Sequence, residues 1–171
     1  MKIAVISDSH DNIPNIRKML DFVRENNIEA IIHCGDLAAP SIITKELEPK
    51  FKGPIHFVHG NVADRQLNEE FANQFDHITC HGDQGEIELG GKKIAFIHYP
   101  EKAKILAESN KYDLIFYGHD HKPWEKIIGK TKMLNPGTLA GMFNKATFAV
   151  YDTETDKARS VSYTHLRAHE T

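Results

Sequence analysis

Short apolar runs that stop at polar loops set the tightest limit on how this chain can fold. Ile3-Ala4-Val5-Ile6, Ala30-Ile31-Ile32, Ile55-His56-Phe57-Val58 and Leu114-Ile115-Phe116-Tyr117 are rich in β-branched and aromatic residues and only three or four residues long. Runs of that length read as strands buried on both faces. Helical spacing follows the first run. Asn12 is placed to cap, Pro14 suits a first turn, and Ile16, Met19, Leu20 and Val23 recur at the period of a helix. Further helices are expected at 41–48, 65–75 and 101–109. Strand–helix alternation of this kind argues for an α/β protein with parallel strands.

Beyond residue 75 the texture changes. Runs at 78–80, 86–89 and 93–97 are short strands, the last two joined by the hairpin signal Gly90-Gly91. Runs at 124–128, 133–135 and 147–151 are expected to be antiparallel strands between glycine-rich turns. A last strand is expected after Asp152, fading near Lys157. The expected architecture is two packed mixed sheets with helices on their outer faces. With 171 residues and no repeat, one domain is the natural reading, spanning 1–158. Residues 159–171 lack periodicity and carry His165 and His169. They resemble a read-through scar from a cloning vector, and we exclude them from site reasoning.

Composition narrows the function classes. A formal net charge of −3 gives no basic excess for a large nucleic acid. Cys34 and Cys80 are too few for a disulfide framework, no apolar run approaches a membrane span, and no leader pattern opens the chain. A reduced cytoplasmic protein is expected, with no membrane partner.

The chemistry lies where the strands end, which is where open α/β sheets bind ligands. The first strand exits into Asp8 and His10, two residues apart. The second exits into Gly35-Asp36, the third into Gly60-Asn61 and a later one into His98. The strand at 114–117 exits into Gly118-His119-Asp120-His121. Five strand ends thus offer seven metal-ligand side chains. One divalent ion cannot use seven such groups, but two can if a carboxylate bridges them. Glycine before Asp36, Asn61 and His119 lets backbone turn sharply or approach the site closely.

Asp8-Ser9-His10, Gly35-Asp36, Gly60-Asn61, His98 and Gly118-His119-Asp120-His121, in this order, resemble the motifs of the calcineurin-like metallophosphoesterase superfamily. The chain is similar to its small single-domain prokaryotic phosphodiesterase branch, from Met1 to about Asp152. The resemblance implies a four-layer α/β/β/α sandwich of two mixed β-sheets flanked by helices. It implies that Asp8, His10, Asp36 and His121 hold one divalent ion, and that Asp36, Asn61, His98 and His119 hold a second, with Asp36 bridging. Manganese heads the candidate metals, with nickel, iron and zinc as alternatives. Two ions about 3.5–4 Å apart acidify a bridging water and clamp the phosphate, so hydroxide attacks phosphorus in line. Asn135-Pro136-Gly137-Thr138 resembles the family's later turn, expected to shape the site wall.

The chain departs from the family at the leaving-group acid. Val62 stands where many members carry histidine, Asp64 falls three residues after Asn61 rather than two, and His98 is followed by Tyr99-Pro100 instead of glycine. Asp64 is taken as the candidate general acid, with His59 and Tyr99 as alternatives. Esters with good leaving groups are therefore expected to react best. His81 competes with His98 as a ligand, whereas His33, His56, His59 and His77 are read as structural or solvent-facing. Asp11 and Asp120 are expected to cap or orient, and Cys34 to act as a small buried hydrophobe. The expected function is hydrolysis of small phosphoesters, most naturally diesters. The alternatives are a non-catalytic scaffold on the same fold and a nuclease for short oligonucleotides. A homo-oligomer is also open.

Overall fold

The computed structural model describes residues 1–163; His165, His169 and the rest of 164–171 lie outside the described residues. Strand β1 (Lys2–Ile6) feeds helix α1 (Ile13–Glu25), and β2 (Ala30–His33) leads to a π-helical turn at Ile43–Leu47 and the short α2 (Glu48–Lys50). Then come β3 (Ile55–Phe57), α3 (Arg65–Ala72), β4 (Ile78–Cys80), β5 (Gln84–Leu89), β6 (Lys92–Ile97) and α4 (Pro100–Glu108). The chain closes with β7 (Leu114–Phe116), β8 (Trp124–Ile128), β9 (Thr131–Asn135), β10 (Thr147–Asp152) and β11 (Lys157–Ser162).

One sheet has the order β11-β10-β1-β2-β3-β4 and the other β5-β6-β7-β9-β8. Both are mixed. β1 to β4 run parallel, with β10 antiparallel to β1; β6, β7 and β9 run parallel, with β5 and β8 antiparallel at the edges. Alternation along each strand divides the apolar side chains among three clusters. Ala4, Ile6, Ile31, Ile55 and Phe57 face α1, the π-helical turn and α3. Ile3, Val5, Ile32, Phe96, Phe116 and Tyr151 fill the space between the sheets. Ala95, Ile97 and Ile115 face Ala103 and Ala107 of α4. Helix, sheet, sheet and helix are thus the four expected layers. Each large apolar side chain in these clusters stabilises the fold by roughly 1.5–3 kcal/mol.

Local chemistry explains the elements and two departures. Asn12 caps α1 by accepting from Asn15 N–H at 3.1 Å. Gly90 and Gly91, both at positive φ, make the β5–β6 turn. The helix expected at 41–48 is present over 41–50, but it contains a π-helical turn at Ile43–Leu47 before α2. Glu48 N–H donates to Ile43 O, five residues back, and Pro49 beside it has no N–H to continue an α ladder. The final strand also reaches further than expected. A boundary at 158/159 cuts through β11, which pairs with β10 from Lys157 to Ser162 and buries Val161. Residues 159–162 therefore belong to the sheet.

Candidate metal centre

The loops after β1, β2, β3, β6 and β7 meet at one edge of the sandwich. The first two are joined through their backbones: Asp8 N–H donates to Gly35 O at 2.9 Å and His10 N–H to Asp36 O at 3.1 Å. His33, fully buried and held neutral by that burial with a pKa near 4, reinforces the junction. Its Nδ1 accepts from Gly35 N–H at 3.2 Å, so its Nε2–H faces Ser9 Oγ at 2.8 Å. The second sheet joins through Gly118 N–H to His98 O and His119 N–H to Asp8 Oδ2, both at 3.1 Å.

All seven expected ligands come together there. His121 Nε2 lies 3.0 Å from Asp8 Oδ1, and His10 Nε2 lies 3.8 Å from the same atom. Asp36 Oδ2 sits between two histidines, 3.4 Å from His10 Nε2 and 3.5 Å from His98 Nε2. His98 Nε2 is 3.1 Å from Asn61 Oδ1 and 3.2 Å from His119 Nδ1. His81, the competitor of His98, is elsewhere, with its Nε2 2.9 Å from His56 Nδ1.

The hydrogen-bond chemistry makes the cluster a candidate for holding metal. His98 Nδ1–H donates to Cys34 O at 2.8 Å and His121 Nδ1–H to Met142 O at 3.0 Å. Those bonds fix the tautomers and turn each Nε2 lone pair toward carboxylate oxygens, as metal-binding histidines require. Asp8 Oδ1 and His10 Nε2 are buried without a hydrogen-bond partner among the described residues. A carboxylate oxygen facing an imidazole nitrogen needs a proton or a metal cation between them. The donor set, carboxylate, imidazole and amide oxygen, suits divalent first-row metals.

Burial favours protonated Asp8, yet His10, the Ser7 hydroxyl, His98 and His119 N–H outweigh it and bring its pKa down to about 2. Asp36 is likewise lowered, against burial, by His98 and Val62 N–H. Burial opposes charge on His98, but Asp36 and Asp8 raise its pKa nonetheless; Asp8 does the same for His10.

Strain marks the same residues. Asp8, His10, Asp36, His119 and His121 all have positive φ, from 40° to 75°. Each such non-glycine residue costs on the order of 1 kcal/mol and persists only where its surroundings dictate it. The glycines serve close approach more than turning. A Cβ on Gly60 would overlap Asp36 Oδ1, and one on Gly118 would overlap Ser7 Oγ and sit 2.7 Å from Asp8 Oδ2.

Neighbouring groups support the cluster. Ser7 Oγ donates to Asp8 Oδ2 at 2.6 Å, Thr138 Oγ1 donates to Asp8 O at 3.1 Å, and Val62 N–H donates to Asp36 Oδ1 at 2.9 Å. Asp11 accepts from Ala38 and Ala39 N–H, and Asp120 accepts from Asn135 Nδ2, so both orient loops. Leu139 N–H donates to Ser7 O, tying the chain just after the turn at 135–138 to the exit of β1.

The acid candidates fare differently. Asp64 is the N-cap of α3, accepting from Leu67 N–H at 3.3 Å. Its side-chain oxygen is thus engaged at the helix start. His59 is engaged by Glu69 and Cys80. Tyr99 does touch the cluster, its ring 5.1 Å from His98 and 5.2 Å from His119. On the other side Phe143, 89% exposed and at φ 65°, stands 5.7 Å from the His121 ring.

Residues 1–156 match the sequence profile of the calcineurin-like phosphoesterase superfamily domain. A phosphodiesterase of Methanocaldococcus jannaschii is 29% identical over 164 residues, covering 94% of this chain and 98% of that protein. A probable metallophosphoesterase of Methanothermobacter thermautotrophicus is 32% identical over 147 residues, covering 81% and 77%. The solved structure of an archaeal phosphodiesterase superposes with a TM-score of 0.87 at 27% identity, covering 95% of this chain and 99% of that one. Vps29 of Entamoeba histolytica, solved with zinc, shares the fold at a TM-score of 0.69 and 20% identity, covering 95% and 99%.

Proposed function

The chain belongs to the calcineurin-like phosphoesterase superfamily and is a phosphoric ester hydrolase, and from that premise we propose that it hydrolyses small phosphodiesters at a two-metal centre. The observation that carries this reading is the convergence of seven ligand-type side chains whose nitrogen and oxygen atoms face one another. Asp8, His10, Asp36 and His121 would hold one ion, and Asp36, Asn61, His98 and His119 the other. Asp36 Oδ2, nearly equidistant from His10 and His98, supports its role as the bridge. Manganese is the first candidate and the cytoplasm the setting.

When bound, two divalent ions supply hydroxide at neutral pH and neutralise charge on the phosphoryl oxygens. The chain's own residues do the positioning. Ser7 and His119 N–H occupy Asp8 Oδ2 and leave Oδ1 free; Val62 N–H occupies Asp36 Oδ1 and leaves Oδ2 free. The carbonyls of Cys34 and Met142 aim His98 and His121. With Val62 in the usual histidine position and Asp64 capping a helix, leaving groups that need little protonation are favoured.

The test is to strip the protein of metal, refill it with one metal at a time, and measure hydrolysis of aryl and alkyl phosphodiesters and of an aryl monoester. Metal-dependent turnover that falls steeply from aryl to alkyl esters is expected. Equal aryl and alkyl rates would refute the leaving-group argument. No turnover with any metal would support a scaffold role on this fold.

A further inference from the structure

A second group of ligand-type side chains lies outside this centre. Cys80 ends β4, and His59 follows β3 by two residues. These strands are parallel neighbours with Phe57 paired to Cys80, so their ends lie side by side. Helix α3 connects them and carries Glu69 over the same edge. His59 Nε2 is 3.4 Å from Cys80 Sγ and 3.4 Å from Glu69 Oε1, and the three ligand atoms lie within 4.8 Å of one another.

The His59–Glu69 spacing is long for a hydrogen bond, the His59–Cys80 spacing is ordinary for one to sulfur, and both fit coordination. An N–H···O bond is ordinarily about 2.9–3.0 Å, and one Nε2 proton cannot serve both carboxylate and sulfur well. With zinc bonds of about 2.0–2.2 Å to nitrogen and oxygen and about 2.3 Å to sulfur, a tetrahedron sets its ligand atoms roughly 3.3–3.6 Å apart. The His59 side chain is 1% exposed. Its other ring nitrogen, Nδ1, is buried without a hydrogen-bond partner among the described residues.

We propose that His59, Glu69 and Cys80 form a separate binding site for a thiophilic divalent cation of the zinc type, with a fourth position left to water. One imidazole, one carboxylate and one thiolate balance the charge of such an ion, the thiol proton leaving to solvent on binding. Thiolate selects zinc or cobalt over manganese, so the site discriminates against the harder ion. It ties α3 to the exits of β3 and β4, and His59 lies two residues before Asn61.

Cobalt(II) titration of the metal-free full chain tests this apart from the phosphoesterase reading, because the seven-residue cluster contains no thiolate. Sulfur-to-cobalt charge-transfer absorption in the near ultraviolet is expected in the parent and in Cys34→Ser, and absent in Cys80→Ser. Glu69→Gln should weaken cobalt binding at that band about tenfold or more. Lack of the band in the parent, or its survival in Cys80→Ser, overturns the proposal. Alkylation of Cys80 in the parent is a second readout that needs no variant. Zinc should slow it at least tenfold and manganese should not; equal rates with and without zinc overturn the proposal.

Discussion

Ser7→Ala removes one hydroxyl and tests how the centre is supported. Ser7 and Asp8 are both fully buried, and the 2.6 Å bond from Ser7 Oγ is one of two donors on Asp8 Oδ2, the other being His119 N–H at 3.1 Å. A hydrogen bond to a buried charged acceptor contributes about 1.5–3 kcal/mol. In a chain of this size about 2 kcal/mol corresponds to a Tm loss of roughly 4–8 °C for the metal-free protein. Asp8 also loses part of its orientation toward His10 and His121, so metal affinity should fall roughly ten- to a hundredfold, the usual effect of removing such a support. Calorimetry gives the first number and competition with a chromophoric chelator the second. A variant that melts with the parent and binds metal within about threefold of it would refute the reasoning.

Other perturbations follow from the same geometry. Gly60→Ala places a methyl against Asp36 Oδ1 and should cut turnover on the order of a hundredfold, the scale of a 1 Å misplacement, with retained secondary structure by circular dichroism. Phe143→Ala should raise KM for an aryl phosphodiester roughly three- to tenfold, the scale of one aromatic contact of about 0.5–1.5 kcal/mol, and leave a dialkyl ester unaffected. Equal KM shifts for the two esters would remove Phe143 from leaving-group recognition. Glu46 is held at a pKa of about 2 by Arg17, at 2.8 and 2.9 Å, and by Lys50. Its folded pKa is depressed, so its contribution is full above about 4.5 and lost as pH falls through about 2. Glu46→Gln should lower Tm by roughly 2–4 °C at pH 7, and the gap should close toward pH 2.

Much of this architecture is legible in the amino-acid sequence. Four buried strands, each followed by a polar loop, determine the layers, because period-2 alternation and helical spacing are local properties. The seven candidate ligands are legible because each sits within a few residues of a strand end. What supports them is not. Ser7 reads as one more loop hydroxyl until His119, 111 residues away from Asp8 in sequence, brings its N–H to the same carboxylate. Asp64 looks like an acid by its spacing from Asn61, and only the start of α3 shows it capping a helix. His59 and Cys80 carry no shared pattern; parallel pairing of β3 with β4 is what brings them together. Arg159 and Ser160 look like the start of a foreign tail, because exposed edge strands have little apolar periodicity, yet β10 pairs with both.

A two-metal centre of the kind proposed requires two ions to share Asp36. Anomalous diffraction at the manganese edge, from crystals of the full chain equilibrated with manganese, tests it most directly. Two peaks about 3.5–4 Å apart are expected on either side of Asp36, one against Asp8, His10 and His121 and the other against Asn61, His98 and His119. A single peak, or a pair that Asp36 does not touch, would contradict it.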